Sequence, residues 1–444
     1  MDVRVADILD QAPLGRFHWM IAMLGFLVMV IDGYDLVVMG LVVPAVASEW
    51  SLPPAGFSVV LSAALLGVLF GSGCAGWLAD RVGRRAVLVG MLVIAGVGMA
   101  GSAFAADPTA LSAWRLLTGV GAGGSIPVAI AYASEFTPAR FRNRLTVAMY
   151  AGTTMGGVVA GFTAPELLEF DGWQSVFIAG GAMSLLAAML CALLLPESIR
   201  FLLVSGASPQ RIAAVLRKVD SVAAAAFKVS TPAEGAVNVG RNRVRDLFKG
   251  ELLLVTPVIW VMFIANQAIV FLISSWLPTL FTFAGMALDR TLHVIALYSA
   301  GGLLGGLLFG WAADRRGTTT TLALSYPAAA VCIVALGYAA KSSDFVIVVA
   351  ICTGMTLLGS SLLLGAMTAA MYPTAIRATG LGWAFGLGRL GAIVGPVIGG
   401  AAIADGWSVQ QILGAASTLP VLAGACSLTL MFVAPFIRSR QGFQ

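Results

Sequence analysis

A run of apolar stretches, each about as long as a bilayer is thick, decides what this chain can fold into. Crossing the hydrocarbon core takes ~20 apolar residues in a helix. Only helices and closed barrels can satisfy their backbone there. In the first half the stretches are Phe17–Ala47, Phe57–Ala79, Ala86–Ala106, Thr109–Ala133, Leu145–Leu168 and Trp173–Leu195. In the second they are Leu252–Phe283, Leu292–Ala313, Leu322–Ala340, Phe345–Met371, Leu381–Ala404 and Val409–Phe436. The short alternating strands of a barrel are absent from the sequence. Charged residues make up 11% of the 444, against ~25% in a soluble domain. The reading is an all-α integral membrane protein with twelve transmembrane helices.

The placement of Lys and Arg orients these helices. With the N-terminus in the cytoplasm, only Arg290 and Lys341 of the 26 basic residues fall outside, and Arg115 and Arg389 lie within helices. The rest collect on the cytoplasmic face, as the positive-inside rule requires. The net charge of +5 is therefore a topology signal and not a nucleic-acid footprint. Cys74, Cys191, Cys332, Cys352 and Cys426 lie in or near apolar runs without metal spacing, and read as small core hydrophobes. His18 and His293 lie near span ends and read as interfacial. The first apolar run is far longer than a signal-peptide core of ~7–15 residues, so it is read as a retained helix.

The two halves repeat. Gly76-Trp77-Leu78-Ala79-Asp80-Arg81-Val82-Gly83 returns as Gly310-Trp311-Ala312-Ala313-Asp314-Arg315-Arg316-Gly317, an offset of 234. The same offset carries Asp171-Gly172-Trp173 onto Asp405-Gly406-Trp407. It also carries Gly67 and Gly71 onto Gly301 and Gly305, and Gly152, Gly157 and Gly161 onto Gly386, Gly391 and Gly395. A repeat spaced by six helices keeps its orientation, so the halves are parallel, a transporter architecture. The divisions are a six-helix half over 1–196, a cytoplasmic linker over 197–250 and a second half over 251–444. Ser208-Pro209 opens a short amphipathic helix in the linker, carrying Ile212, Val215, Leu216 and Val219. The glycine runs follow no strand and precede no Lys in register, so they are helix contacts and not phosphate loops.

Asp32 and Asp35 lie inside the first span, on one helix face. An ionisable residue within a membrane helix is a functional hypothesis by default. Two carboxylates this close cannot both ionise cheaply in a low dielectric, which suits a proton carrier. By the repeat, Asp32 falls on Asn266 and Asp35 on Ile269, so the second half has no ionisable equivalent. Arg115 falls on Val349, and Arg389 on Met155. The fourth helix runs from outside to inside, placing Arg115 about 9 Å below its outer end, in reach of Asp35. Arg389, about 12 Å from the inner end of its helix, offers bidentate geometry to a substrate carboxylate.

These residues resemble the major facilitator superfamily. Gly76 to Arg85 is similar to its signature between helices 2 and 3, and Arg115-x-x-x-Gly119-x-Gly121 to its helix 4 motif. Glu135, Pro138, Arg140 and Arg144 resemble its cytoplasmic cluster after helix 4. A narrower resemblance is to the aromatic acid:proton symporter family, whose hallmark Asp-Gly-(Phe/Tyr)-Asp stands here as Asp32-Gly33-Tyr34-Asp35. Trp276-Leu277-Pro278 and Gly388-Arg389-x-Gly391 are similar to that family too.

The resemblance implies a proton-coupled symporter that imports aromatic monocarboxylates of the hydroxybenzoate type by alternating access. Asp32, Asp35 and Arg115 would couple the proton, and Arg389 would hold the carboxylate. Tyr34 and Trp276 would stack on the ring, and Asn266 and Gln267 would bond its hydroxyls. Asp80, Arg81, Arg84, Arg85, Glu135, Arg144, Asp314 and Arg315 would form a cytoplasmic gate of inter-helix ion pairs that locks the outward-facing state. The alternatives are a proton-linked carrier of another small organic acid or metabolite, and a transporter doubling as a chemoreceptor for aromatic acids. The resemblance makes the proton the coupling ion, and since no catalytic constellation, metal set or cofactor motif stands in the sequence, the chain is not read as an enzyme. The expected partners are the substrate, protons and lipid, with no nucleic acid. The expected setting is a bacterial inner membrane, as a functional monomer with both termini cytoplasmic.

Overall fold

A computed structural model describes residues 13–219, 244–250, 252–340, 345–373 and 376–440. Most of the linker, Lys341 and the Arg144 side chain lie outside the described residues. Among the described residues the regular structure is helical, with no strand.

The first half comprises α1 (Arg16–Glu49), a 3-10 turn (Pro54–Phe57), α2 (Ser58–Val82), α3 (Arg84–Ser102) and α4 (Pro108–Phe136). It closes with the continuous stretch Ala139–Leu194. Within that stretch 47 residues, Ala148–Leu194, are apolar enough to span. Straight, they would run about 70 Å, more than twice a bilayer core. Asp171 (φ −153°, ψ 36°) and Gly172 (φ 67°) break the stretch into two arms, α5 before and α6 after. Two short helices follow, α7 (Ile199–Val204) and α8 (Pro209–Val219). The second half has α9 (Leu252–Phe283), α10 (Leu288–Arg316), α11 (Thr318–Ala339), α12 (Phe345–Met371) and α13 (Arg377–Ala404). A last crossing is made by α14 (Val409–Ala416) and α15 (Thr418–Arg440). Among the described residues, eleven helices are long and apolar enough to cross a membrane. The broken one counts twice, which gives twelve crossings.

Local chemistry sets the ends. Asp107 caps α4 by accepting from Thr109 N and Ala110 N at 2.8 and 2.9 Å, with Pro108 at the first helical position. Ser408 and Gln411 form a capping box ahead of α14. Gly83 (φ 110°) and Gly317 (φ 88°) turn the chain into α3 and α11 at matching places of the repeat. A side chain is rarely tolerated there.

The glycine contacts show that the repeat is structural, and they correct its register. A Cβ on Gly67 or Gly71 would strike the Leu116 or Val120 carbonyl of α4. In the second half, Gly301 and Gly305 of α10 meet the Ile351 and Met355 carbonyls of α12. Gly156 of α5 sits on Val30 and Tyr34 of α1 as Gly391 of α13 sits on Ile264 and Ala268 of α9. For the fourth and fifth helices the offset is therefore 235, one residue more than the flanking turns keep. Arg115 then corresponds to Ala350 and Arg389 to Thr154, not to Val349 and Met155. The slip lies where loop length between packed helices is free to vary, and both arginines still lack a charged counterpart.

The compact units follow a different line from the repeat. One contains 1–35, 66–156 and 174–238, the other 36–65, 157–173 and 239–444. In the first, α8 lays Ile212, Val215, Leu216 and Val219 into the core formed by residues such as Leu24, Leu88, Tyr132 and Cys191. In the second, the outer portions of α1, α2 and α5 join the six C-terminal helices. The joints are small-residue contacts. A Cβ on Gly40 would lie 2.5 Å from the Ser274 carbonyl oxygen, and one on Gly161 would lie 2.6 Å from Ala296 Cβ. Gly157 approaches Ser299 one turn away from the Gly161 contact, and Gly400 packs on Ser58. Beyond them Trp173 Nε1 donates to Glu49 Oε2 at 2.8 Å, and Trp50 meets the Trp173 ring edge-on at 5.8 Å.

Candidate functional site

The N-terminal unit holds a buried ion pair. Asp35 comes from α1 and Arg115 from the first half of α4. Arg115 Nη1 donates to Asp35 Oδ1 at 2.5 Å, and Nη2 to the Asp35 carbonyl at 3.3 Å. The arginine is 2% exposed and its guanidinium carbon lies 5.8 Å from the Phe177 ring centre. Losing one member of such a pair is costly, because it leaves the other charge buried and uncompensated. Asp32, one turn back on α1, is also buried.

A water-sized cavity lies beside both carboxyls. It has a volume of about 10 Å³ and is bordered by Asp32, Asp35, Thr118, Ser125 and Ser184 among apolar side chains. The three hydroxyls donate to helix carbonyls, Thr118 to Trp114, Ser125 to Ala122 and Ser184 to Leu92, at 2.8–2.9 Å. Their protons are committed, so they offer lone pairs to whatever occupies the space. None of the three stood out in the sequence. A serine or threonine in a membrane helix most often bonds its own backbone, and spacing alone does not show which ones face a carboxylate.

In the C-terminal unit, Asn266 stands midway along α9 and is 1% exposed. Its Oδ1 accepts from the Tyr326 hydroxyl of α11 at 3.1 Å. Its Nδ2 donates to Ser361 Oγ of α12 at 2.8 Å and to Gln267 Oε1 at 3.2 Å. Gln267 and Ser361 are half-buried. A Cβ on Gly388 of α13 would lie 3.1 Å from Gln267 Cγ, so Gln267 rests against the backbone immediately before Arg389. Arg389 is itself half-buried. Sequence reading missed Tyr326 and Ser361. The Ser360-Ser361 pair in an otherwise apolar run was the available signal.

The two candidate ring-stacking residues, Tyr34 and Trp276, are both buried. Tyr34 is 1% exposed, donates its hydroxyl to the Val176 carbonyl at 3.0 Å, and packs against Gly180. Trp276 is 0% exposed, donates Nε1 to the Pro396 carbonyl at 2.8 Å, and covers Gly399 and Gly400. Both polar atoms are bonded to backbone carbonyls and both rings are enclosed by neighbouring helices.

The charges expected at the cytoplasmic helix ends fall into two groups. Arg84 Nη1 meets Glu135 Oε1 of α4 at 2.7 Å, with Asp80 at 4.0 Å from Nη2. The Ser198 hydroxyl donates to Glu135 Oε2. Arg85 gives its side chain to the Ala192 carbonyl and its backbone N–H to Glu197 Oε1 at 3.1 Å. Glu197 was not foreseen as part of this cluster. Arg81 and Arg315, in contrast, stack on Trp77 and Trp311 of their own helices at 4.0 and 4.1 Å. The expected inter-helix ion pairs are therefore replaced at these two arginines by local cation–π contacts, and Asp314 is exposed.

Twelve crossings, a parallel repeat joined by glycine contacts and buried ionisable groups in one half define a carrier of alternating-access type. The chain belongs to the Major Facilitator Superfamily, whose family model matches residues 25–362 and 291–443. It is a transport protein and not an enzyme. It is 35% identical over 410 residues to the 4-hydroxybenzoate transporter PcaK of Pseudomonas putida, covering 92% of this chain and 91% of that one. It is 34% identical over 430 residues to a gallate transporter of Pseudomonas putida, covering 96% and 94%. Its fold matches the partially occluded, inward-open xylose transporter XylE of Escherichia coli with a TM-score of 0.72 at 17% identity, covering 92% and 98%.

Proposed function

We propose that this chain imports aromatic monocarboxylates of the hydroxybenzoate type together with protons, across a bacterial inner membrane, with both termini in the cytoplasm. The observation that carries the reading is the buried Asp35–Arg115 pair beside Asp32, in a chain so similar to a 4-hydroxybenzoate transporter. A proton arriving from outside is taken by the Asp32/Asp35 pair. Neutralising Asp35 removes the partner of Arg115 and frees α1 from α4. The acid enters as its anion, and Arg389 holds the carboxylate in bidentate fashion, with Gln267 beside it. The helices then exchange outer for inner access, and proton and acid leave to the cytoplasm. Arg84, Glu135, Arg85 and Glu197 brace the cytoplasmic ends of the N-terminal helices through this cycle. The carrier works as a monomer in lipid with the proton as its only coupling ion.

The test is uptake of labelled 4-hydroxybenzoate into proteoliposomes. An inward proton gradient is expected to drive accumulation. Uptake indifferent to the gradient would sink the symport reading, and uptake of aliphatic acids alone would sink the aromatic one.

A further inference from the structure

The hydrogen bonds around Asn266 all point one way. Tyr326 has a single proton and gives it to Asn266 Oδ1. With its carbonyl turned to Tyr326, Asn266 points its two amide protons the other way. These go to Ser361 Oγ and Gln267 Oε1. An amide side chain has one acceptor oxygen with two lone pairs and two donor protons, and a hydroxyl has one donor proton and two lone pairs. Gln267 has therefore used one lone pair of Oε1 and keeps Nε2 with both protons. Ser361 has accepted one bond and keeps its O–H. Tyr326 and Asn266, at 0% and 1% exposed, form the buried end of this chain. Gln267 and Ser361, both half-buried, form its accessible end. Tyr326 thus supports this sense of the chain: without its hydroxyl, the Asn266 oxygen loses that donor, and the amide can turn over and present its oxygen to Ser361 and Gln267.

We infer that Gln267 and Ser361 are specificity-determining donors for the substrate carboxylate and not readers of a ring hydroxyl, and that Tyr326 is the positioning residue that keeps them donors. Three uncommitted protons at this end suit a group that only accepts, and an ionised carboxylate, with about four lone-pair sites, can take all of them. A phenol hydroxyl, which brings a proton of its own and has one oxygen, takes fewer of these protons. Arg389 follows the glycine on which Gln267 rests, so the neutral donors and the guanidinium serve the same anionic group. This inference rests on the transport reading above and names which part of the substrate the C-terminal helices recognise.

The test compares benzoate, which has the carboxylate alone, with 4-hydroxybenzoate. Kd is measured by titration calorimetry on purified protein, and KM by uptake. Ser361→Ala and Tyr326→Phe are each expected to raise Kd and KM for both acids by the same factor, about three- to tenfold, the worth of one hydrogen bond, with kcat nearly unchanged. The double variant is expected to lose less than the product of the two factors, because Tyr326 acts through Asn266 on Ser361. Gln267→Glu, which replaces a donor by an acceptor, is expected to weaken both acids further. A loss confined to 4-hydroxybenzoate, or an unchanged Kd in Ser361→Ala, would overturn the assignment. Wild-type binding without gradient-driven uptake would instead overturn the transport reading, while the Kd comparison still decides the donors. Wild-type protein that binds neither acid would overturn both.

Discussion

The contact between Gly161 and Ala296 sets how firmly the outer part of α5 can close on α10, and one methyl group is enough to disturb it. An ideal Cβ on Gly161 lies 2.6 Å from Ala296 Cβ and 2.7 Å from its Cα and backbone N. Carbon atoms settle at about 3.5–4.0 Å, so Gly161→Ala forces α5 and α10 apart by roughly 1 Å. The obstacle is backbone, which cannot swing aside as a side-chain tip could. Overpacking of this kind costs about 1–3 kcal/mol. The penalty applies only where the seam is closed, so it shifts the open–closed balance by about 5- to 150-fold. Spin labels at positions 169 and 290, on a cysteine-free background, would report the separation at the outer end. Gly161→Ala should move the distance distribution toward the longer state and slow uptake at least fivefold. Gly386→Ala, where a Cβ meets nothing within 4 Å, should leave both unchanged. A Gly161→Ala protein with the wild-type distribution and normal uptake would refute the seam as a gate.

Other consequences can be measured directly. Asp35→Asn or Arg115→Gln alone should destabilise the protein by about 3–5 kcal/mol, because each leaves a buried charge without its partner. The double variant should recover part of that loss, and thermal unfolding that shows no recovery would argue against a direct pair. Asp32→Asn should abolish gradient-driven accumulation while preserving exchange of labelled for unlabelled acid. Normal accumulation in that variant would remove Asp32 from the proton path. Arg389→Lys should raise Kd for the acid about tenfold, since an ammonium cannot reproduce the bidentate fork. Unchanged affinity would place the carboxylate elsewhere.

Much of the fold was legible because membrane helices announce themselves by length. Leu252–Phe283 and Phe345–Met371 end where their apolar runs end, since lipid sets the limits of both. The reach from Arg115 to Asp35 was legible for a related reason: a charge in a dry helix must find another, and few were available. The surroundings of the aromatic residues were not. An aromatic ring in an apolar helix packs as well on a neighbouring backbone as on a ligand. Only the bonds from Tyr34 to Val176 and from Trp276 to Pro396 separate the two uses. The one-residue slip of the repeat was hidden because conserved turns at Gly83/Gly317 and Gly172/Gly406 restore the frame on both sides. The sense of the Asn266 bonds was hidden because an amide in a sequence has no orientation until a neighbour such as Tyr326 fixes it.

The division of α1 between the two compact units has a thermodynamic consequence. The first unit's share of this helix ends at Asp35, and Leu36 begins the second. Gly40, whose contact with α9 helps to hold the second unit together, is five residues on, about 7.5 Å along the same rod. Asp35 and the Gly40 contact thus share one helix, within two turns of each other. If a proton on this pair changes the closing equilibrium by some factor, closing must change proton binding by the same factor. A methyl group at Gly161, which meets Ala296 first, should in that case displace the pH dependence of transport, and an ordinary pH profile would read a steric change as though it were a change in acidity.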